Sequence, residues 1–334
     1  MSENKTNLVY GVKDMPKPFG KVIVFALQQV LAILAATIAV PTIIENGMSQ
    51  SAALFGAGIG TLVYLCFTKF KSPVFLGSSF AFIGSMLAAF GGAASVSVGY
   101  LGLIIGATLA GLVYVIIAVV VKFVGVEWIN KIMPASVIGP TVAVIGLSLS
   151  GNAIGDVLKG SIHDITNGVY IMNTTGLISL FCGLVTLFTV IICSVYGKKM
   201  MKMIPFIIGI AAGYVVATIF TVIGIVAEIP ELLIINFGLF QNMQWIPNFA
   251  FIEAFKGFAD VTAFGEYFLT ILVAYVPVAF VVFAEHLADH KNISSIIGSD
   301  LTKDPGLHRT LLGDGVGSIA GAFFGGCPNT TYGE

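Results

Sequence analysis

Apolar residues run through this chain in stretches of about twenty, divided by short polar connections. Seven are plain: residues 21–44, 51–67, 99–124, 132–150, 177–196, 204–226 and 267–290. A further stretch, 73–90, is irregular, and another, 311–324, is rich in glycine. Runs of this length with Gly and Pro inside them read as helices, because a helix satisfies its own backbone in lipid. The pattern predicts an all-α polytopic membrane protein of nine spans. Gly106 and Gly111 mark close helix approach in the fourth span. Pro134 and Pro140 predict a kink or a broken start in the fifth. Gln28 and Gln29 place two amides in the first, where neighbouring helices offer partners. Residues 152–173 read as a polar loop. Residues 228–266 form the longest connection; its aromatics at 249–258, like Trp128, suit a membrane surface.

The irregular stretch has Leu76-Gly77-Ser78-Ser79-Phe80-Ala81-Phe82 at its centre. Gly-Ser-Ser is a poor helix centre, so extended backbone opening a half-helix is one reading. A small-residue packing face is the other. The chain closes on a parallel string, Pro328-Asn329-Thr330-Thr331-Tyr332-Gly333-Glu334. In both strings two hydroxyl residues precede an aromatic. Transporters with inverted repeats place their sites at such paired interruptions.

Composition sharpens the class. The chain is 57% hydrophobic and 10% charged, against roughly 25% charged in soluble domains. Mean hydropathy is +0.98. A net charge of -1 offers nothing to nucleic acid. The four cysteines, Cys66, Cys182, Cys193 and Cys327, lack paired or metal-ligand spacing and read as small buried hydrophobes. Residues 1–19 are polar and lysine-bearing, so no cleaved signal peptide is expected and the first span serves as insertion signal. Of the 16 lysines and arginines, all but Lys159 and Lys256 fall on one side of the predicted spans. That bias predicts a cytoplasmic N-terminus. Glu334 arrives where a tenth span should begin, so the chain is expected to be a fragment.

Chemistry concentrates after residue 283. No charged residue occurs from Tyr267 to Phe283; then Glu285, His286, Asp289 and His290 follow within six positions. On a helix Glu285 and Asp289 share one face, and His286 and His290 the neighbouring one. Three readings compete. All four are solvated at the cytoplasmic surface, which Lys291 favours for Asp289 and His290. Or His286 and His290 bind a metal, making an intramembrane metal-dependent enzyme. Or Glu285 lines a water-accessible cavity and takes a ligand or a proton. A carboxylate accepts from N–H groups, and amides at a half-helix start donate to carbonyls. Together these suit a planar ring of alternating N–H and C=O, with Phe80 placed to stack on it.

At these strings the chain resembles the nucleobase–ascorbate transporter (nucleobase–cation symporter-2) family. Leu76 to Phe82, Ala284-Glu285-His286, Asp304-Pro305-Gly306-Leu307-His308-Arg309 and Pro328 to Glu334 carry the resemblance in the expected order. The ending Asn-Thr-Thr-Tyr-Gly-Glu is that of uracil-type members; xanthine and urate members typically carry Gln-Asn with a glycine. The resemblance implies fourteen spans in two inverted repeats of seven, with short extended segments in spans three and ten. It implies a core of residues 20–124 and 264–334, a gate of 125–227 and an outside loop at 228–263. It also implies proton-coupled uptake of uracil, or of xanthine or another base, across the cell membrane. No cofactor is implied beyond the coupling proton, and partners would be the nucleobase, the bilayer and a second copy in a homodimer. Glu285 and Glu334 match the two glutamates that hold the pyrimidine. Phe80 and Gly333 match positions whose amides face its carbonyls, and Ser79 and Tyr332 line the pocket. Two positions depart from relatives. Gln28-Gln29 stands where they have Gln-His, and Asp289 where one type has histidine. The proton route is therefore expected around Glu285, Asp289 and Gln29.

Overall fold

A computed structural model describes residues 10–12, 14–158, 162–164, 169–198, 201, 204–238, 246–261 and 264–332. The chain forms two compact units, one of residues 1–22, 36–146 and 246–334, the other of 23–35 and 147–245. Helix α1 (Phe19–Ile44) is followed by α2 (Gln50–Thr68), strand β1 (Leu76–Ser78), a 3-10 turn (Phe80–Phe82) and α3 (Ile83–Gly91). Next come α4 (Val96–Val124), α5 (Glu127–Ile132), α6 (Ala135–Ser148), α7 (Ser150–Val157) and strands β2 (Ile162–Asp164) and β3 (Val169–Ile171). Then follow α8 (Thr174–Tyr196), α9 (Pro205–Ala227), α10 (Ala250–Gly257), α11 (Phe264–Ile297), α12 (Leu307–Gly325) and β4 (Asn329–Thr331).

Among the described residues seven helical stretches are long and apolar enough to cross a membrane: α1, α2, α4, Ser136–Val157, α8, α9 and α11. They coincide with the seven plain runs. The two unusual runs take other forms. The third is extended backbone, then a 3-10 turn, then the short helix α3, which is the half-helix reading. The ninth is α12, a helix of 19 residues.

Helix α12 packs against both α2 and α4, and glycine makes this possible. A Cβ on Gly56 of α2 would lie 2.4 Å from the Gly321 carbonyl oxygen, and one on Gly111 of α4 would lie 2.7 Å from that of Gly315. Backbones this close gain dispersion contact that side chains would prevent. Gly106, the other expected contact, faces the ring of Tyr275 on α11.

Strands β1 and β4 pair antiparallel, Leu76 opposite Thr331, Gly77 opposite Thr330 and Ser78 opposite Asn329. Ser79 N donates to Pro328 O at 2.9 Å and Tyr332 N to Phe75 O at 3.1 Å, lengthening the ladder at both ends. Helix α2 supplies further partners. Leu76 N donates to Thr61 Oγ1 at 2.9 Å, and Asn329 Nδ2 to Gly56 O at 3.2 Å. Extended backbone survives at membrane depth only when buried in protein with its polar groups bonded, and both strands are buried along their length.

Several expectations need correction. Residues 152–173 are not simply a loop: α7 runs to Val157, and β2 and β3 pair as an antiparallel ribbon. Helix α11 continues past His290 to Ile297. Its Ile293 and Ile297, four apart, pack on a cluster of Tyr64, Val74, Leu76 and Leu301, and Ser294 Oγ between them accepts from Leu301 N at 3.0 Å. Cys193 and Cys327 are buried, but Cys66 is exposed on the outer face of α2. The connection at 228–266 contains a 3-10 turn (Pro230–Leu232) and α10. The proline break falls at Met133–Pro134, between α5 and α6, while Pro140 stays inside α6.

In the second unit α8 and α9 pack closely, with Gly213 against Thr186 and Phe181 edge-on to Phe220 at 6.1 Å. A groove of about 580 Å³ in this unit is lined by Thr175, Ser179, Cys182 and Thr186 of α8 and by Tyr214 of α9.

Gly56→Val should lower the melting temperature of the detergent-solubilised protein sharply, since overpacking costs about 1–3 kcal/mol or more. Gly58, which has nothing within 4 Å of a built Cβ, should accept Ala with no loss or a gain of about 0.4–1 kcal/mol. Equal melting of the two variants would contradict this packing.

Candidate functional site

Helix α11 carries the four ionisable residues on two faces, and the structure gives them separate environments. Glu285 and Asp289 are partly buried; His286 and His290 are fully buried. The solvated reading is therefore wrong for His290. One face of the helix is still packed beyond it, through Ile293 and Ile297, while Lys291 and Asn292 on the other face are exposed.

Both histidines are committed to hydrogen bonds. His290 Nδ1 lies 2.8 Å from the carbonyl of His286, which only accepts, so Nδ1 carries the proton. Nε2 then accepts from Tyr64 OH at 2.8 Å, and Tyr64 in turn receives from Ser72 Oγ at 2.8 Å. His286 Nδ1 donates to Asp314 Oδ2 at 2.7 Å, and its Nε2 lies 3.1 Å from Thr310 Oγ1. The two imidazoles stack with centroids 3.9 Å apart. With all four ring nitrogens engaged, neither side chain presents a lone pair to a metal, and the paired-histidine metal reading fails on geometry.

Asp314, on α12, was not singled out from the sequence. It is 1% exposed and pairs with His286. The signal was present: a lone acid within the glycine-rich ninth run calls for the same explanation as Glu285.

Glu285 differs from its neighbours. Its Oε2 is buried and has no hydrogen-bond partner among the described residues. One turn on, Asp289 Oδ2 accepts from Thr331 Oγ1 at 2.9 Å, tying α11 to strand β4. The strand crossing supplies further unbonded groups, since Ser79 Oγ and Thr330 Oγ1 are buried without partners among the described residues. Phe80, partly buried, opens the 3-10 turn that leads into α3. Amides at a helix start have no intrahelical acceptor, so the Phe80 N–H belongs to a donor set suited to a carbonyl or an anion. Tyr332 OH donates to Ser78 O at 2.9 Å, and its ring lies over Gly77, where a Cβ would come within 2.7 Å of it. Gly77 thus provides the space that the Tyr332 ring occupies.

The structure thus brings Asp289 to β4 through Thr331, and Ser79 and Tyr332 to the strand crossing. Gly333 and Glu334 lie outside the described residues. Of the first-span amides, Gln28 is buried and Gln29 is exposed. A carboxylate oxygen seeking a donor, helix-start amides seeking an acceptor and unbonded hydroxyls are what a small polar ligand would satisfy.

The profile of the Permease family matches residues 20–334. The chain belongs to that permease family. The resemblance drawn from its motifs stands, and it is a transport protein of the membrane rather than an enzyme. This permease is 38% identical over 336 residues to the uracil permease of Bacillus subtilis (strain 168), covering 100% of this chain and 69% of that protein. It is 36% identical over 326 residues to the uracil permease of Bacillus caldolyticus, covering 98% of this chain and 67% of that one. Against the uracil permease of Escherichia coli (strain K12) the identity is 34% over 331 residues, covering 98% and 67%. With its apolar helices, the permease is an integral, multi-pass membrane protein.

His286→Leu in this permease leaves the Asp314 carboxylate buried without its partner, which costs about 3–5 kcal/mol. A fall in melting temperature is expected, and the double variant His286→Leu/Asp314→Leu should recover part of it. Additive losses in the double variant would show that the two residues do not act as a pair.

Proposed function

We propose that this permease is a secondary active transporter that takes up uracil together with protons. The observation that carries the reading is the buried Glu285 Oε2, unbonded among the described residues, on a helix tied to the strand crossing. Uracil presents two N–H groups and two carbonyls in one plane. Glu285 and Glu334 would accept from the N–H groups. The amides of Phe80 and Gly333 would meet the carbonyls, while Ser79 and Tyr332 line the pocket. The curated relatives, named as uracil permeases, support the choice of base.

Core and gate follow from the same reading, within two inverted repeats. Residues 20–124 and 264–334 form the core that carries the base, and 125–227 belong to the gate. The clustering of residues 147–245 apart from 36–124 and 264–334 supports that division for the larger part of the gate, while 125–146 cluster with the first unit and 23–35 with the second. Glu285 and Asp289 hold the coupling proton, with Gln29 as a further member of the route. The lysine and arginine bias puts the N-terminus in the cytoplasm.

Uptake of radiolabelled uracil into cells lacking their own uracil transport, carrying the full-length gene product, tests this. Glu285→Ala and Glu334→Ala should each lower uptake by about tenfold or more, because a hydrogen bond to a charged group contributes about 1.5–3 kcal/mol. Unlabelled uracil should compete and xanthine should not, and a protonophore should abolish accumulation. Unchanged uptake in both alanine variants would sink the site assignment.

Orientation has its own measurement. With the four native cysteines replaced, Asn46→Cys should react with a membrane-impermeant thiol reagent in intact cells and Met15→Cys should not. The reverse pattern would invert the topology.

A further inference from the structure

Away from Glu285, a small cavity of about 10 Å³ lies among Phe82, Tyr114, Val282, Asp314, Ser318 and Asn329. It is bounded by α4, α11, α12 and β4, and every one of these residues is buried. Tyr114 OH has no hydrogen-bond partner among the described residues, although the side chain is 4% exposed. Its ring is held edge-on against His286 at 6.0 Å and Phe283 at 6.4 Å, which fixes where the hydroxyl points. Asp314 bonds His286 through Oδ2, so Oδ1 is left for another partner.

A dry void here is hard to reconcile with its lining. Empty cavities in proteins are apolar, whereas this one presents a carboxylate, two hydroxyls and an amide. A buried phenol or carboxylate oxygen left unbonded costs about 1–3 kcal/mol, more when charged. The volume is that of one probe sphere, about 10–15 Å³, the minimum that admits a water, and the polar lining meets the need for two to four partners.

We propose that this cavity binds one water molecule. The water donates to Asp314 Oδ1 and accepts from Tyr114 OH. Its second hydrogen goes to Ser318 Oγ or to the side-chain carbonyl of Asn329. The result is a closed buried network running Tyr114, water, Asp314, His286 and Thr310, which joins α4, α11 and α12 by hydrogen bonds at one point. Both oxygens of the buried acid are then satisfied. Where that second hydrogen goes to Asn329, the water links the acid to the residue that begins the strand leading to the proposed base site.

The test uses the full-length protein in detergent and reads stability and structure, so its outcome is independent of which base is carried. If the water is present, Tyr114→Phe removes one of its partners and lowers the melting temperature by about 2–4 °C. If the cavity is dry, the same change deletes an unbonded hydroxyl and leaves the melting temperature unchanged or raised, which overturns the proposal. On a Val282→Ile background, where the added methyl fills the space, Tyr114→Phe should raise the melting temperature instead. An equal lowering there would mean that the hydroxyl serves something other than the cavity. A structure at a resolution that shows ordered water should carry density within hydrogen-bonding distance of Tyr114 OH and Asp314 Oδ1, and clean emptiness there refutes the assignment. Melting in sodium chloride and in choline chloride at equal ionic strength should coincide. A rise specific to sodium, lost in Tyr114→Phe, would replace the water by a cation and overturn the assignment as stated.

Discussion

In the hydrocarbon core of a membrane a backbone N–H or C=O has no water to bond, and irregular chain is tolerated only where protein supplies the partners. The antiparallel crossing of β1 and β4 meets that constraint, and much of the first unit is arranged to make it possible. Each strand alone would expose several unpaired groups. Together, with Ser79 to Pro328 and Tyr332 to Phe75 added at the ends, they satisfy one another. Thr61 and Gly56 of α2 take up further groups on the flanks. Because β1 stops after three residues, a helix start follows it directly, beside the Ser79 hydroxyl, which is buried and unbonded among the described residues.

The crossing requires thin neighbours. Helix α12 leads into β4 and sits between α2 and α4, where Gly56 and Gly111 let backbones touch. That role explains its sequence. A helix shielded by protein on several sides needs small residues more than apolar ones, so α12 lacks the hydropathy of a lipid-facing span while lying in a membrane protein. It also tolerates Asp314 at its centre, provided the acid has a partner, and His286 is that partner.

Polar groups on α11 divide by what surrounds them. His286 and His290 have every ring nitrogen bonded, so they join α11 to α12 and α2 as fixed structure. Asp289 reaches β4 through Thr331. Glu285 retains a buried oxygen that no described residue satisfies. The contrast is informative because a fully bonded polar group rigidifies a core, whereas an unbonded one in the same core marks where a ligand would be recognised.

Membrane class, the positions of the seven plain spans and the identity of the acidic helix were legible in the sequence, because length and hydropathy in lipid are properties of a segment by itself. Gly106 and Gly111 were legible for a related reason, since only a missing side chain permits such approach. Motif strings pointed to the family, and the family profile agrees with them. Tertiary structure decided what depends on partners from elsewhere in the chain. That Ser78 would lie opposite Asn329, that His290 would be buried rather than solvated, and that Asp314 would complete His286 are contacts between residues far apart in sequence. The same holds for the end of α11: the apolar run stops at residue 290, and the packing of Ile293 and Ile297 on Tyr64 and Leu301 keeps the helix going to Ile297. A sequence records the cost of placing a polar group in a membrane, but the groups that offset the cost are known only once the helices have met.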